Sequence, residues 1–240
     1  MQGVVLAAGK GTRLQGINLS NKCLLPFQDK TLLEFNLSLL VELELSEIIL
    51  IVGHHADHIK QRIGDKYAGV PVRYVTQEPL LGIAHGVLMA TPLIHQDFFM
   101  CLSDEYLFNP NIPKMVEWFY QTNADCTCGM VKDNEANIRN SYTVLTDDSR
   151  KILDLVEKPS SAYNNWKGTG YCAMKPSMIQ LLPSLPPNPK RGEYEMGDWI
   201  MSGVKSDYLC NIAPIAQVEI NINTNDDLRK LISYEEVHTS

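Results

Sequence analysis

Val4-Val5-Leu6-Ala7-Ala8-Gly9-Lys10-Gly11-Thr12-Arg13-Leu14 decides how the chain reads. Its first five residues are a continuous apolar run closed by glycine, the pattern of a strand buried on both faces. Small residues and two glycines then let the backbone approach a ligand closely. Successive N–H groups in such a turn form a nest for an anion, and Lys10 and Arg13 add positive charge. Two familiar phosphate loops do not fit. A Walker A loop needs Gly, four residues and then Gly-Lys-Ser/Thr, whereas here Gly11 follows Lys10 and the upstream glycine is missing. The dinucleotide fingerprint needs a third glycine where Leu14 stands. On this string alone, a plain glycine turn with solvated Lys10 and Arg13 stays open.

Outward from that strand, the chain alternates between two periods. Apolar spacing predicts a helix over 31–44, a buried strand over 47–52, a helix over 56–63 and a strand over 72–76. A helix over 82–90 and a strand over 98–102 follow, the latter ending at Ser103-Asp104-Glu105. Past Pro110 the pattern changes. A helix over 113–121 precedes strand-like runs over 126–131, 142–145, 152–156 and 170–174. A proline-rich connector (183–189), a helix over 198–204, a strand over 217–221 and a closing helix over 224–234 with Thr224 as its N-cap complete the chain. No repeat, low-complexity tract or linker separates two units. The expected fold is therefore α/β, a single domain over 1–240 whose mostly parallel, mixed central sheet is flanked by helices, the second half extending the first half's sheet.

Composition narrows the function classes. With 240 residues, 45% hydrophobic and 20% charged, the chain can bury a sizeable core, which excludes disorder, collagen and a disulfide scaffold. A net charge of -7 argues against a nucleic-acid-binding surface but allows a local cationic pocket for a small phosphorylated ligand. No apolar run reaches the roughly 18 to 20 residues that span a bilayer, and Met1-Gln2-Gly3 offers no leader, so neither membrane insertion nor export is expected. The six cysteines are scattered through apolar runs, as buried free thiols of a reducing cytoplasm would be.

A second stretch, Asn21-Lys22-Cys23-Leu24-Leu25-Pro26, sets a lysine before an apolar run ended by proline. Gly-x-Gly-Thr-Arg-Leu followed by Lys-x-Leu-Leu-Pro resembles the signature of the sugar-1-phosphate nucleotidylyltransferases, similar to the glucose-1-phosphate thymidylyl- and uridylyltransferases. The resemblance runs from Val4 to Leu228. Gln77-Glu78-Pro79-Leu80-Leu81-Gly82-Ile83-Ala84-His85 looks like the base-reading loop, and Leu102-Ser103-Asp104 falls where the family carries a metal-binding aspartate. Leu155-Val156-Glu157-Lys158-Pro159 matches its Glu-Lys-Pro element, and Gly168-Thr169-Gly170-Tyr171 its sugar-contacting strand. Arg191-Gly192-Glu193-Tyr194-Glu195 resembles a uridylyltransferase stretch from which Met196-Gly197 departs, and Ile220-Asn221-Ile222-Asn223-Thr224 lies where the second metal ligand belongs.

The resemblance implies a nucleotide-diphospho-sugar-transferase-like, Rossmann-like fold, with 1–110 as the nucleotide-binding half and 111–240 as the acceptor-binding half. It implies transfer of a nucleoside monophosphate from a nucleoside triphosphate, UTP or dTTP favoured, to a sugar 1-phosphate with release of pyrophosphate. The attacking phosphate monoester has a second pKa of about 6. It is ionised at neutral pH, and catalysis reduces to bringing anions together and stabilising charge. Arg13, Lys22 and Asp104 are the expected catalytic residues, Arg13 on the leaving pyrophosphate and Lys22 on the α-phosphate. Leu6, Ala8, Gly9, Gly11, Thr12, Gln77, Gly82 and His85 are expected to bind nucleotide; Tyr142, Glu157, Lys158, Thr169 and Gly170, the acceptor. Asp104 with either Asn221 or Asn223 would hold Mg²⁺, which favours a carboxylate plus phosphate oxygens. The family also admits a homo-oligomer, and a chain of this length leaves no room for an appended β-helix domain, so one activity is expected.

Other features read as structure. His54, His55 and His58 sit at a strand-to-helix turn and read as solvated. Cys126 and Cys128 alternate on a strand, share a face and read as core or interface. Tyr142 precedes Thr143 where the family carries glycine, which signals an altered acceptor pocket. Asp226-Asp227 complements a helix dipole. Two alternatives stay open: a cytidylyltransferase acting on a phosphocholine-like phosphate or a phosphonate, and a non-catalytic nucleotide-sugar-binding subunit.

Overall fold

The computed structural model describes residues 1–9 and 21–238. In chain order its strands are β1 (Gln2–Ala7), the short pair β2 (Pro26–Phe27) and β3 (Lys30–Thr31), β4 (Ile48–Val52), β5 (Lys66–Tyr67), β6 (Val70–Thr76), β7 (Phe98–Leu102) and β8 (Glu105–Phe108). There follow β9 (Cys126–Lys132), β10 (Tyr142–Thr146), β11 (Ile152–Glu157), β12 (Trp166–Met174), β13 (Cys210–Pro214) and β14 (Val218–Asn221). The helices are α1 (Leu32–Val41), α2 (Ala56–Ile63), α3 (Ile83–Ala90), α4 (Ile112–Gln121), the single turn α5 (Glu135–Ile138), α6 (Met196–Lys205) and α7 (Asn225–His238).

Eight strands form one sheet in the order β13-β9-β12-β7-β1-β4-β6-β5. β1 pairs in parallel with β4 on one side and β7 on the other, and β4 in parallel with β6, as the buried apolar runs predict. β12 runs antiparallel to both β7 and β9 and makes the sheet mixed. Successive residues of the central strands feed opposite core layers. Val4, Leu6, Ile49, Ile51 and Met100 pack on one face; Val5, Ala7, Leu50, Val52 and Cys101 pack on the other. All five residues of β4 are fully buried. Each such aliphatic side chain contributes about 1.5–3 kcal/mol, which makes this strand costly to expose.

Local signals place the helices. Thr31 and Glu34 close a capping box at the start of α1, the Glu34 amide donating to Thr31 Oγ1 at 3.2 Å and the Thr31 amide to Glu34 Oε2 at 2.9 Å. Thr224 caps α7 in the same way, with Asp227 in the glutamate's place: its carboxylate accepts from the Thr224 amide at 2.8 Å. Asp227 thus has a specific partner beyond the helix dipole. α1 stops at Val41, short of the predicted 44, and the helix predicted from 198 starts two residues earlier.

The second half extends the sheet only in part. β9, β12 and β13 join it, whereas β10 with β11, and β8 with β14, form separate antiparallel ribbons. Ser103-Asp104 does not end a strand against a helix: the chain turns there directly into β8, whose Glu-Tyr-Leu-Phe sequence was too short to read as a strand. The first two residues of the connector predicted over 183–189 belong instead to a 3-10 segment, Pro176–Ser184.

Candidate active site

β1 is flanked on both sides at its C-terminal end, where chain connections diverge and where open α/β sheets place their ligands. A cavity of about 760 Å³ opens there, walled on the far side by the two ribbons. Leu6, Ala8 and Gly9 form its floor from the end of β1. Gln77 at the end of β6 spans the next loop, its Nε2 donating to the Gly82 carbonyl at 2.8 Å. Gly82 has φ 103° and lies so close to the Tyr194 backbone that a Cβ would fall 2.6 Å from its carbonyl oxygen, so only glycine fits.

Lys22 opens a 3-10 turn capped by Asn21, whose side chain accepts from the Cys23 amide at 3.1 Å and donates to the His54 carbonyl at 3.0 Å. That turn carries Lys22 to Asp104, 2.5 Å from ammonium to carboxylate, with the Asn223 amide oxygen at 3.0 Å. Asn223 Nδ2 donates to Asn221 Oδ1 at 2.7 Å. The Ile222 amide donates to the Asp104 carbonyl at 2.8 Å and locks the two segments together. Residues 22, 104, 221 and 223 thus converge at one end of the sheet, from segments as far as 201 residues apart in sequence.

Behind this group lies a charge network that spacing alone did not reveal. Glu105 is buried and accepts the Gly170 amide through both oxygens at 3.0 and 2.8 Å. Burial, then Glu219 and Asp104, pushes its carboxyl well above the usual carboxylate range. Lys167 lies between Glu219 at 2.6 Å and Asp133 at 3.1 Å. The available signal was an isolated charge inside an apolar run, as in Val218-Glu219-Ile220 and Trp166-Lys167-Gly168. Glu105 ties the Gly170 strand to Asn221, whose Nδ2 lies 3.5 Å from its carboxylate.

On the acceptor wall, Tyr142 is buried with its hydroxyl donating to the Thr169 carbonyl at 3.2 Å and its ring against Gly168. Thr169 turns its hydroxyl away to the Gly129 carbonyl at 2.8 Å, and Gly170 offers its amide to Glu105, so both meet the cavity mainly as backbone. Glu157 and Lys158 line the cavity at the end of β11. Burial pushes the Glu157 carboxyl up to about 7, Glu195 adding to the effect and Lys158 opposing it. Glu195 itself holds Arg191 at 2.5 Å. His85 stands apart from the cavity lining, its Nδ1 3.3 Å from Gln77 Nε2 and its ring 6.0 Å from that of Tyr194. Gly11, Thr12 and Arg13 lie outside the described residues.

The raised Glu157 pKa sets the sign of a pH effect. Between 4.5 and about 7 the folded chain holds a proton that the unfolded chain has lost, so stability falls as pH rises through that window. The full loss is about 3 kcal/mol, present above pH 7. Glu157→Gln is expected to flatten this dependence, so urea midpoints at pH 5 and pH 8 should differ less in the variant than in the wild type. Equal differences would show that Glu157 does not titrate in this way.

Other features fall where the residues suggested. His54, His55 and His58 are exposed, and Cys126 and Cys128 are fully buried on one face of the sheet. Among the described residues no helix is long and apolar enough to cross a membrane.

The nucleotidyl transferase family model matches residues 2–213. The chain is 32% identical over 202 residues to a UTP–glucose-1-phosphate uridylyltransferase of Haloferax volcanii, covering 83% of this chain and 82% of that one. It is 29% identical over 201 residues to a glucose-1-phosphate thymidylyltransferase of Streptomyces griseus, covering 82% of this chain and 56% of that one. A solved structure of UDP-glucose pyrophosphorylase complexed with UDP-glucose superposes with a TM-score of 0.87 over 98% of both chains at 17% identity, a likeness of fold.

Proposed function

The chain belongs to the nucleotidyl transferase family, and on that premise we propose that it transfers a nucleoside monophosphate from UTP or dTTP to a sugar 1-phosphate, releasing pyrophosphate. The observation that carries this reading is Lys22 seated between Asp104 and Asn223 at the end of β1, inside a cavity whose opposite wall offers Glu157 and Lys158. The uridylyl- and thymidylyltransferase relatives support the choice of base and acceptor.

In this reading residues 1–110 bind the nucleotide and 111–240 the acceptor. The backbone of Gly9 to Thr12 cradles the triphosphate, Arg13 neutralises the pyrophosphate as it leaves, and Lys22 contacts the α-phosphate. Gln77 and Gly82 face the base. Lys158 holds the acceptor phosphate, and Glu157 meets its hydroxyls. The acceptor oxygen is ionised at neutral pH, so these side chains have to position and neutralise rather than remove a proton.

The donor set fits Mg²⁺. The Asp104 carboxylate and Asn223 amide oxygen already face a single cation, the Lys22 ammonium, and hard oxygen donors suit this ion. Asn223 is the proposed ligand. Asn221, whose oxygen is held by Asn223, positions it. When bound there, the ion would neutralise charge developing on the α-phosphate. The six buried free thiols support a reducing cytoplasm as the setting.

A second reading keeps one observation. The half-buried Glu157 carboxyl faces the cavity with Glu195 near it, a second carboxylate that Lys158 and Arg191 only partly offset. An acceptor with an ammonium group, such as a phosphocholine-like phosphate or an aminoalkyl phosphonate, would pair with that charge. Pyrophosphate release measured with Mg²⁺, crossing five nucleoside triphosphates with sugar 1-phosphates, phosphocholine and an aminoalkyl phosphonate, tests both. Turnover with UTP or dTTP and a sugar 1-phosphate supports the first reading. Turnover confined to the ammonium acceptors replaces it with the second, and silence across the panel removes both.

A further inference from the structure

Cys126 and Cys128 lie two residues apart on β9 and face one side of the sheet. Cys172 on β12 stands directly opposite Cys128, and Cys210 on β13 directly opposite Cys126. Four thiols from three neighbouring strands therefore enter the same core layer, and each is fully buried. The Sγ atoms of Cys126, Cys128 and Cys172 lie within 4.8 Å of one another, those of Cys126 and Cys128 at 3.7 Å.

Three metal–sulfur bonds of about 2.3 Å in a trigonal arrangement set their sulfurs about 4 Å apart, which this cluster meets with small side-chain movements. The surroundings also select the ion. Apolar side chains exclude water and supply no carboxylate, so hard cations lack donors while soft ones meet only sulfur. The Gly129 amide bonds to the Cys172 sulfur, and the Tyr142 hydroxyl lies within hydrogen-bond reach of Cys128. Such bonds orient and stabilise thiolate ligands.

We infer that Cys126, Cys128 and Cys172 form a buried binding site for a thiophilic d¹⁰ cation of the Zn²⁺ class, with Cys210, opposite Cys126 on the next strand, as the neighbouring sulfur. On binding, the cation replaces the thiol protons of its ligands, which pass to solvent, and no atom changes oxidation state. Tyr142 stands between this site and the large cavity, so occupancy would brace the cavity wall without supplying a group to the reaction. The site is separate from the oxygen donors around Asp104.

The test uses the full chain, purified under reductant after chelation and titrated with Cd²⁺ as an optical probe. One equivalent is expected to give thiolate-to-metal charge-transfer absorption, lost in Cys128→Ser and Cys172→Ser. It should persist in Cys101→Ser, a control on the opposite core layer. No charge-transfer band in the folded wild type, or a band of wild-type size in Cys172→Ser, would overturn the site. Because a serine here places a hydroxyl in an apolar core, X-ray absorption of the wild-type Zn²⁺ complex gives an independent reading. Three or four sulfur ligands support the assignment, and two or fewer overturn it.

Discussion

Lys22→Ala is expected to lower kcat by about 10²–10³-fold while leaving the chain folded, the loss that follows removal of one fixed charge contact to a transition state. The Lys22 side chain is only 11% exposed and its ammonium is held at the cavity by Asp104 and Asn223, so a metal ion taking those oxygens releases the ammonium toward a phosphate bound beside it. Its turn is held by Asn21 and by the Leu25 amide donating to the Lys22 carbonyl, contacts that do not involve the lysine side chain. The folded state should therefore survive the substitution. Steady-state kinetics at saturating substrates, with circular dichroism as the folding control, check this; near wild-type turnover would remove Lys22 from the reaction.

Asp104→Asn is expected to cost at least about 10³ in kcat/KM, since a lost metal carboxylate forfeits several kcal/mol of charge stabilisation and each 1.36 kcal/mol is tenfold. The Mg²⁺ concentration for half-maximal rate should rise as well. Substituting the asparagine preserves volume and keeps the backbone tie from Ile222, so a lost fold would not explain the result. Asn221 and Asn223 predict a graded outcome: Asn223→Ala should shift the Mg²⁺ dependence more than Asn221→Ala, because the Asn223 oxygen faces the cation position directly. An unchanged Mg²⁺ dependence in Asp104→Asn would discard this metal site.

The sheet's centre was legible because β1, β4 and β7 are continuous apolar runs, and burial on both faces leaves few other conformations for such a run. That Lys22 and Asp104 would meet the 221–223 stretch was legible for a different reason: their motifs are specific even though 201 residues separate the first and last, while the choice between Asn221 and Asn223 stayed open. What stayed hidden has physical causes. β8 is four residues long, too short to offer the repeats by which a period is recognised, and its pairing with β14, which was read as a strand, is a tertiary contact that no local pattern encodes. β13 pairs in parallel with β9 through contacts 84 residues apart, which no local pattern encodes. The buried pairing of Lys167 with Glu219 and Asp133 is likewise a tertiary fact, since burial alone turns ordinary charged residues into a network. The placement of Thr169 shows a further limit. A motif position names the strand, but only the fold shows that its hydroxyl serves Gly129 while its backbone faces the cavity.

The Asp104, Lys22 and Asn223 group is proposed to carry nucleotidyl transfer to a phosphorylated acceptor. The direct measurement is the fate of label from UTP carrying ³²P at the α-phosphate, incubated with glucose 1-phosphate and Mg²⁺. Label is expected to enter a nucleotide sugar in step with pyrophosphate released, mole for mole, and Asp104→Asn to abolish both. Label recovered in UDP or free UMP with no sugar product, or transfer undiminished in Asp104→Asn, would contradict it.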